Sequence, residues 1–236
     1  MPQFRIFRMG FRVVIKEVRV MKNRVITCLA AVAMSVFAGC INARWQGGTT
    51  TPRTSQSALP CRYCIEDIEF NAGMGVDAQL QQWPWSDYAK DPESFRRGVM
   101  EARPDVFSSD PSAERISLSC RVTANSFDET FGPFIITLGF IFPEISLRQT
   151  ECQIFVVRNG IRSNCSANLK SKDEIWMGYP WTVHSCLSSP ERDERLSETV
   201  TWDHNTYNAK QGEINAAKYR AFASAVQRAI ENSLPR

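Results

Sequence analysis

The chain has 236 residues, with 28 Lys and Arg against 25 Asp and Glu, and eight Cys. Residues 1–40 hold seven of the basic side chains and one of the acids, so the rest carries 21 basic and 24 acidic residues, a net charge of −3. That balance excludes the clustered positive surface with which proteins hold nucleic-acid phosphates. The length that follows residue 40 suffices for one domain with a real core.

Met21-Lys22-Asn23-Arg24 opens a basic stretch, and the 14 residues 25–38 are mostly apolar. The stretch ends in Ala38-Gly39-Cys40. A basic start, an apolar core and small residues before a cut form an export signal. Fourteen apolar residues fall short of the roughly 20 that span a bilayer as a helix. Met21 is the more natural start for such a signal, so 1–39 reads as a signal peptide whose true start lies near 21. Ala-Gly-Cys resembles the lipobox of Gram-negative envelope lipoproteins. The resemblance implies that Cys40 becomes the first mature residue and carries fatty acids such as palmitate. The next residue is Ile41 rather than Asp, which resembles sorting to the outer membrane. The resemblance implies a protein that faces the periplasm or the surface, with the membrane as partner through its N-terminal lipid.

Residues 40–60 read as the lipidated cysteine and a flexible tether. Gly47-Gly48-Thr49-Thr50-Thr51 and Ser55-Gln56-Ser57 offer little apolar surface to offset chain entropy. Residues 61–236 are then expected to form a single α+β periplasmic domain. Cys61, Cys64, Cys120, Cys152, Cys165 and Cys186 remain in it. An even number in an exported chain points to disulfides, in a pairing that sequence cannot choose. Cys61 and Cys64 form a CxxC, but a redox motif wants a strand before it and a helix after it. A structural role fits better.

A strand is expected over 63–70, ended by Asn71-Ala72-Gly73-Met74-Gly75. Asp91 as N-cap, Pro92 at the first helical position and Glu93 in the first turn start a helix. Phe95, Val99 and Ala102 would lie on one face, and Pro104 ends it. Over 115–124, Ile116, Leu118, Cys120 and Val122 alternate with polar residues, so one face meets a core.

Residues 131–143 (FGPFIITLGFIFP) are apolar where a polar loop is expected. They read either as a buried strand and turn, or as a loop that meets a membrane or a partner through Phe134, Ile135, Ile136, Leu138, Phe140, Ile141 and Phe142. Thr137-Leu138-Gly139-Phe140-Ile141-Phe142-Pro143, followed by a strand and an Asn-Gly hairpin, resembles the Thr-Leu-Gly-Leu-Ile-Pro-like run of many Gram-negative envelope lipoproteins. That family implies an α+β domain held at the outer membrane.

Asn159-Gly160 suits a type I′ turn between strands 151–158 and 161–170. A two-residue loop would place Ile154 opposite Cys165 and Cys152 opposite Ala167. Residues 213–234 read as a helix with Ala217, Phe222, Ala225, Val226, Ala229 and Ile230 on its apolar stripe. The expected architecture is α+β: a small antiparallel sheet with helices packed on one face, stabilised by disulfides.

His184 and His204 are the two histidines. No Gly-x-Ser-x-Gly elbow is present, and His184 with Cys186 is a poor zinc pair. No catalytic, cofactor or metal site is therefore assigned. The expected function is a non-enzymatic outer-membrane lipoprotein, an accessory or assembly subunit with an envelope protein as partner. The alternative is a binding module for a glycan, peptide or small ligand, built on Trp83, Trp85, Trp176, Tyr179, Trp181 and Trp202.

Overall fold

The alternation over 116–122 translates into packing: Ile116, Leu118, Cys120 and Val122 are buried, while Arg121 and Thr123 are exposed. The computed structural model describes residues 41–52, 59–72, 91–129, 144–178, 196–203 and 205–234. Six strands make one sheet in the order β2-β3-β4-β5-β1-β6. They are β1 (Ile41–Thr49), β2 (Tyr63–Ala72), β3 (Glu114–Glu129), β4 (Glu144–Arg158), β5 (Ile161–Met177) and β6 (Glu198–Asp203). Two helices accompany them, α1 (Pro92–Ala102) and α2 (Tyr207–Ser233).

β2 and β3 pair in parallel, which needs a crossover, and the connection between them contains α1. The other neighbours pair antiparallel. The α1 start is as the sequence implies, with the Ser94 N–H donating to Asp91 Oδ1 at 3.0 Å. Asn159 (φ 50°) and Gly160 (φ 75°) both take positive φ, as a type I′ turn requires.

α2 lies on the sheet through Ala217, Ala221, Phe222, Ala225, Val226, Ala229 and Ile230, all buried. Burying one Phe or Ile contributes about 1.5–3 kcal/mol, against about 1 kcal/mol for a helix cap. Docking, rather than capping, therefore holds this helix. Its entry is fixed by a reciprocal pair: the Asp203 N–H donates to Thr206 Oγ1 and the Thr206 N–H to Asp203 Oδ1, at 3.0 and 2.8 Å. α1 joins through Phe95, whose ring stands edge-on to Phe70, Tyr219 and Phe222.

Four expectations are corrected. The architecture is not a small antiparallel sheet: 53% of the described residues lie in strands against 28% in helices, and the mixed sheet curls into a half-barrel around the C-terminal helix. Residues 41–49 are not a tether. They form β1 between β5 and β6, where Trp45 is 1% and Gln46 0% exposed. The folded unit therefore includes residues 41–49, ahead of the Cys61 expected to open it.

The hairpin register also differs. Ile154 faces Ala167 and Cys152 faces Leu169, because an irregularity between Phe155 and Val157 shifts the pairing. Cys165 is consequently exposed instead of sharing the apolar face. Finally, no disulfide occurs among the described residues: Cys61, Cys64, Cys120, Cys152 and Cys165 are free thiols. Cys120 and Cys152 are neighbours in the core, and burial pushes the Cys120 thiol well above its usual range.

Candidate functional site

One end of the sheet gathers the features that bear on function. β1 begins there at Ile41, opposite Met177 of β5. Met177 in turn faces Glu144, the first residue of β4. β3 ends there, Glu129 lying opposite Ser146, and β6 ends there, Asp203 lying opposite Asn42. The residue after Cys40 and both stems of the 131–143 segment are thus at the same end. Glu144 and Glu129 sit close enough that burial, and then the charge of Glu129, raises the Glu144 carboxyl.

A cleft of about 350 Å³ opens beside this end, between the sheet and the first half of α2. Two cross-strand rungs run beneath it, and Ser146, Arg148, Asp173, Ile175 and Trp202 of them line it. In the outer rung Ser146, Ile175, Ala43 and Trp202 stand side by side on β4, β5, β1 and β6. In the inner rung Arg148, Asp173, Trp45 and Val200 do the same. Tyr207, Gln211, Ile214 and Lys218 of α2 close the roof. Their spacing of four, three and four residues keeps them on one helix face. Trp202 and Tyr207 form an aromatic wall, with centroids 6.2 Å apart.

Asp173 is the unusual group. Its Oδ2 is closed to solvent and has no hydrogen-bond partner among the described residues. Burial pushes its carboxyl up to about 7; Lys218 and Arg148 pull it down, and Glu174 adds to the rise. Arg148 is placed from the other side, its guanidinium carbon 4.9 Å from the Phe127 ring centre. Such cation–ring contacts hold the charge in a partly apolar setting.

The opposite face of the same strands carries a second buried polar group. Arg44 Nε donates to Glu174 Oε2 at 2.8 Å, and Lys172 also pairs with Glu174. Arg44 and Glu174 are 5% and 3% exposed. A further depression of about 450 Å³ lies between α1 and β2 and includes Cys64. Two of its charged residues, Arg97 and Glu93, pair with each other in solvent.

Of the residues singled out from sequence, Trp202 lines the cleft and Trp176 lies on the other face of β5. Cys61 and Cys165 are exposed, Cys64 is half-buried, and Cys120 and Cys152 are in the core. Cys40, Cys186, His184, His204, Trp83, Trp85, Tyr179 and Trp181 lie outside the described residues, as do Phe134, Ile135, Ile136, Leu138, Phe140, Ile141 and Phe142. Asp173 and Arg148 were missed because each sits among polar neighbours, as solvated charges do. The available signal was Ser171-Lys172-Asp173-Glu174, a charge run directly before Ile175 and Trp176. No group of three or more potential metal ligands occurs among the described residues.

No family model matches the chain, and no curated protein matches it. Among solved structures, a minor lipoprotein from Acinetobacter baumannii aligns with 71% of this chain and 93% of its own. The identity is 10% and the TM-score 0.27, a likeness too distant to carry an argument. No helix among the described residues is long and apolar enough to cross a membrane.

Proposed function

We propose that the chain is a lipid-anchored envelope protein, non-enzymatic, which serves as an accessory or assembly subunit at the outer membrane. One observation carries the reading: β1 starts at Ile41, directly after the lipobox-like Cys40. A lipid on Cys40 would then hold the sheet end against the bilayer with almost no spacer. The cleft and the stems of the apolar segment would both face the membrane zone, where an envelope partner or a lipid is within reach.

The test is Cys40→Ala. The variant is expected to accumulate as uncleaved precursor and to lose the mass of the acyl chains on its N-terminal peptide. Normal cleavage at another site, with unchanged membrane fractionation, would overturn the anchor. Crosslinking from Ser146 in intact cells then asks for an envelope partner.

A second reading is favoured by the cleft: a binding module for a small ligand, glycan or peptide. The buried Asp173 oxygen and the Trp202–Tyr207 wall support it, because specific pockets combine an apolar lining with a few placed polar groups.

A further inference from the structure

The cleft joins two cations and a buried acid. Arg148 and Asp173 are direct cross-strand neighbours on the same face, and Lys218 comes down from α2. Two cations therefore bracket one acid. A cationic ligand would have to approach both Arg148 and Lys218, so charge selects against it. A neutral apolar ligand would leave the buried Asp173 oxygen without a partner, and a buried polar atom left unpaired is costly. An oxyanion suits this arrangement: it can accept from the guanidinium and the ammonium, and it gives the buried Asp173 oxygen a partner when that acid holds its proton.

We infer that the cleft binds an oxyanion, a phosphate or a carboxylate, between Arg148, Lys218 and the Asp173 carboxyl. The inference deepens the ligand-binding reading and does not require the lipid on Cys40. Ile175, Trp202 and Ile214 give the same cleft an apolar side, which suits an anion carried on a larger body. Two sources supply that chemistry, the headgroup of an anionic lipid and a free phosphate.

Binding should be linked to a proton. In the free protein Asp173 titrates near 7, and an adjacent anion favours the neutral acid. The charged and titratable groups around it are Arg148 on β4, Lys218 and Tyr207 on α2, and Glu174 on β5. β1 and β6 present Trp45, Ala43, Val200 and Trp202, none of which titrates near neutral pH. Glu174 points to the opposite face and pairs with Arg44 and Lys172. Asp173 is thus the group that couples pH to the anion.

The experiment uses the full chain purified in a non-ionic detergent. It is titrated at pH 6 and pH 8 with inorganic phosphate, short-chain phosphatidylglycerol, short-chain phosphatidylcholine and a neutral disaccharide. Heat and tryptophan fluorescence are read together. Phosphatidylglycerol, whose phosphodiester keeps its charge over this range, should bind about tenfold more tightly at pH 6 than at pH 8, the limit for one linked proton of this kind. Lys218→Gln should weaken binding at both pH values. Asp173→Asn, which keeps the shape and can still donate, should bind with little pH dependence.

Phosphatidylglycerol alone binding would name a lipid headgroup. Phosphate binding equally well would name a free anion. Saturable binding of neither anion would overturn the inference, as would binding unaffected by Lys218→Gln or the same pH response in Asp173→Asn. Binding of the disaccharide but of no anion would sink the inference and leave the ligand-binding reading standing. Failure of the whole panel would remove both.

Discussion

Gly47 occupies the middle of a buried strand, where glycine normally weakens pairing. The reason is Trp45, whose indole folds back across it: a Cβ on Gly47 would lie 2.3 Å from Trp45 Cη2. The ring is 1% exposed and has no room to retreat. Gly47→Ala should therefore cost about 1–3 kcal/mol, the usual cost of overpacking, read as a lowered urea midpoint. An unchanged midpoint would mean that the indole is free to move. Asp173 makes a different prediction. Its carboxyl titrates at about 7 when folded and at about 3.9 when unfolded. Between those values the folded state holds the extra proton, so stability falls as pH rises from about 4 through 7. Asp173→Asn removes that loss. It should stabilise the chain at pH 8, on the order of 1–3 kcal/mol, and change little at pH 4. Thermal melts at the two values check it, and equal effects at both would refute the linkage.

The strands show where sequence was informative. β2, α1, β3, the β4–β5 turn and α2 announce themselves through alternation, an N-cap with proline, Asn-Gly and an apolar stripe. β1 did not. Its sequence INARWQGGT has two glycines and only two large apolar residues, Ile41 and Trp45, which reads as a linker when burial is judged from side chains. What holds it is backbone pairing on both sides, and local composition does not report partners more than 100 residues away. The hairpin register failed for a related reason, since the turn sets the first pairs and the irregularity between Phe155 and Val157 resets the rest. The cleft was legible only through Trp202, because Asp173, Arg148 and Lys218 converge by tertiary placement. β1 and β5 are also joined by a buried ion pair. Removing one partner of such a pair leaves a charge stranded and costs about 3–5 kcal/mol. Glu174→Gln should fall in that range by denaturant titration. Glu93→Gln, on an exposed i,i+4 pair, should stay within about 0.5 kcal/mol. Equal small effects would mean that the Arg44–Glu174 pair is hydrated.

At the scale of the molecule, the half-barrel is held together by its first strand. β1 separates β5 from β6, so the chain places its N-terminal residues against its C-terminal half. Deleting residues 41–49 should abolish cooperative unfolding and expose hydrophobic surface to dye, because β5 and β6 lose the strand that joins them. A tether of the same length could be removed with the melt intact. Either result is decided by one circular-dichroism scan.

The position of β1 also has a mechanical consequence. If force reaches the domain through Cys40, it enters at Ile41 and runs along the axis of the strand. Nine residue pairs link β1 to β5 and six link it to β6. Ladder hydrogen bonds lie across the strands, so such a load shears both rows together instead of opening them one bond at a time. An attachment there would therefore resist pulling, with the resistance shared between two seams.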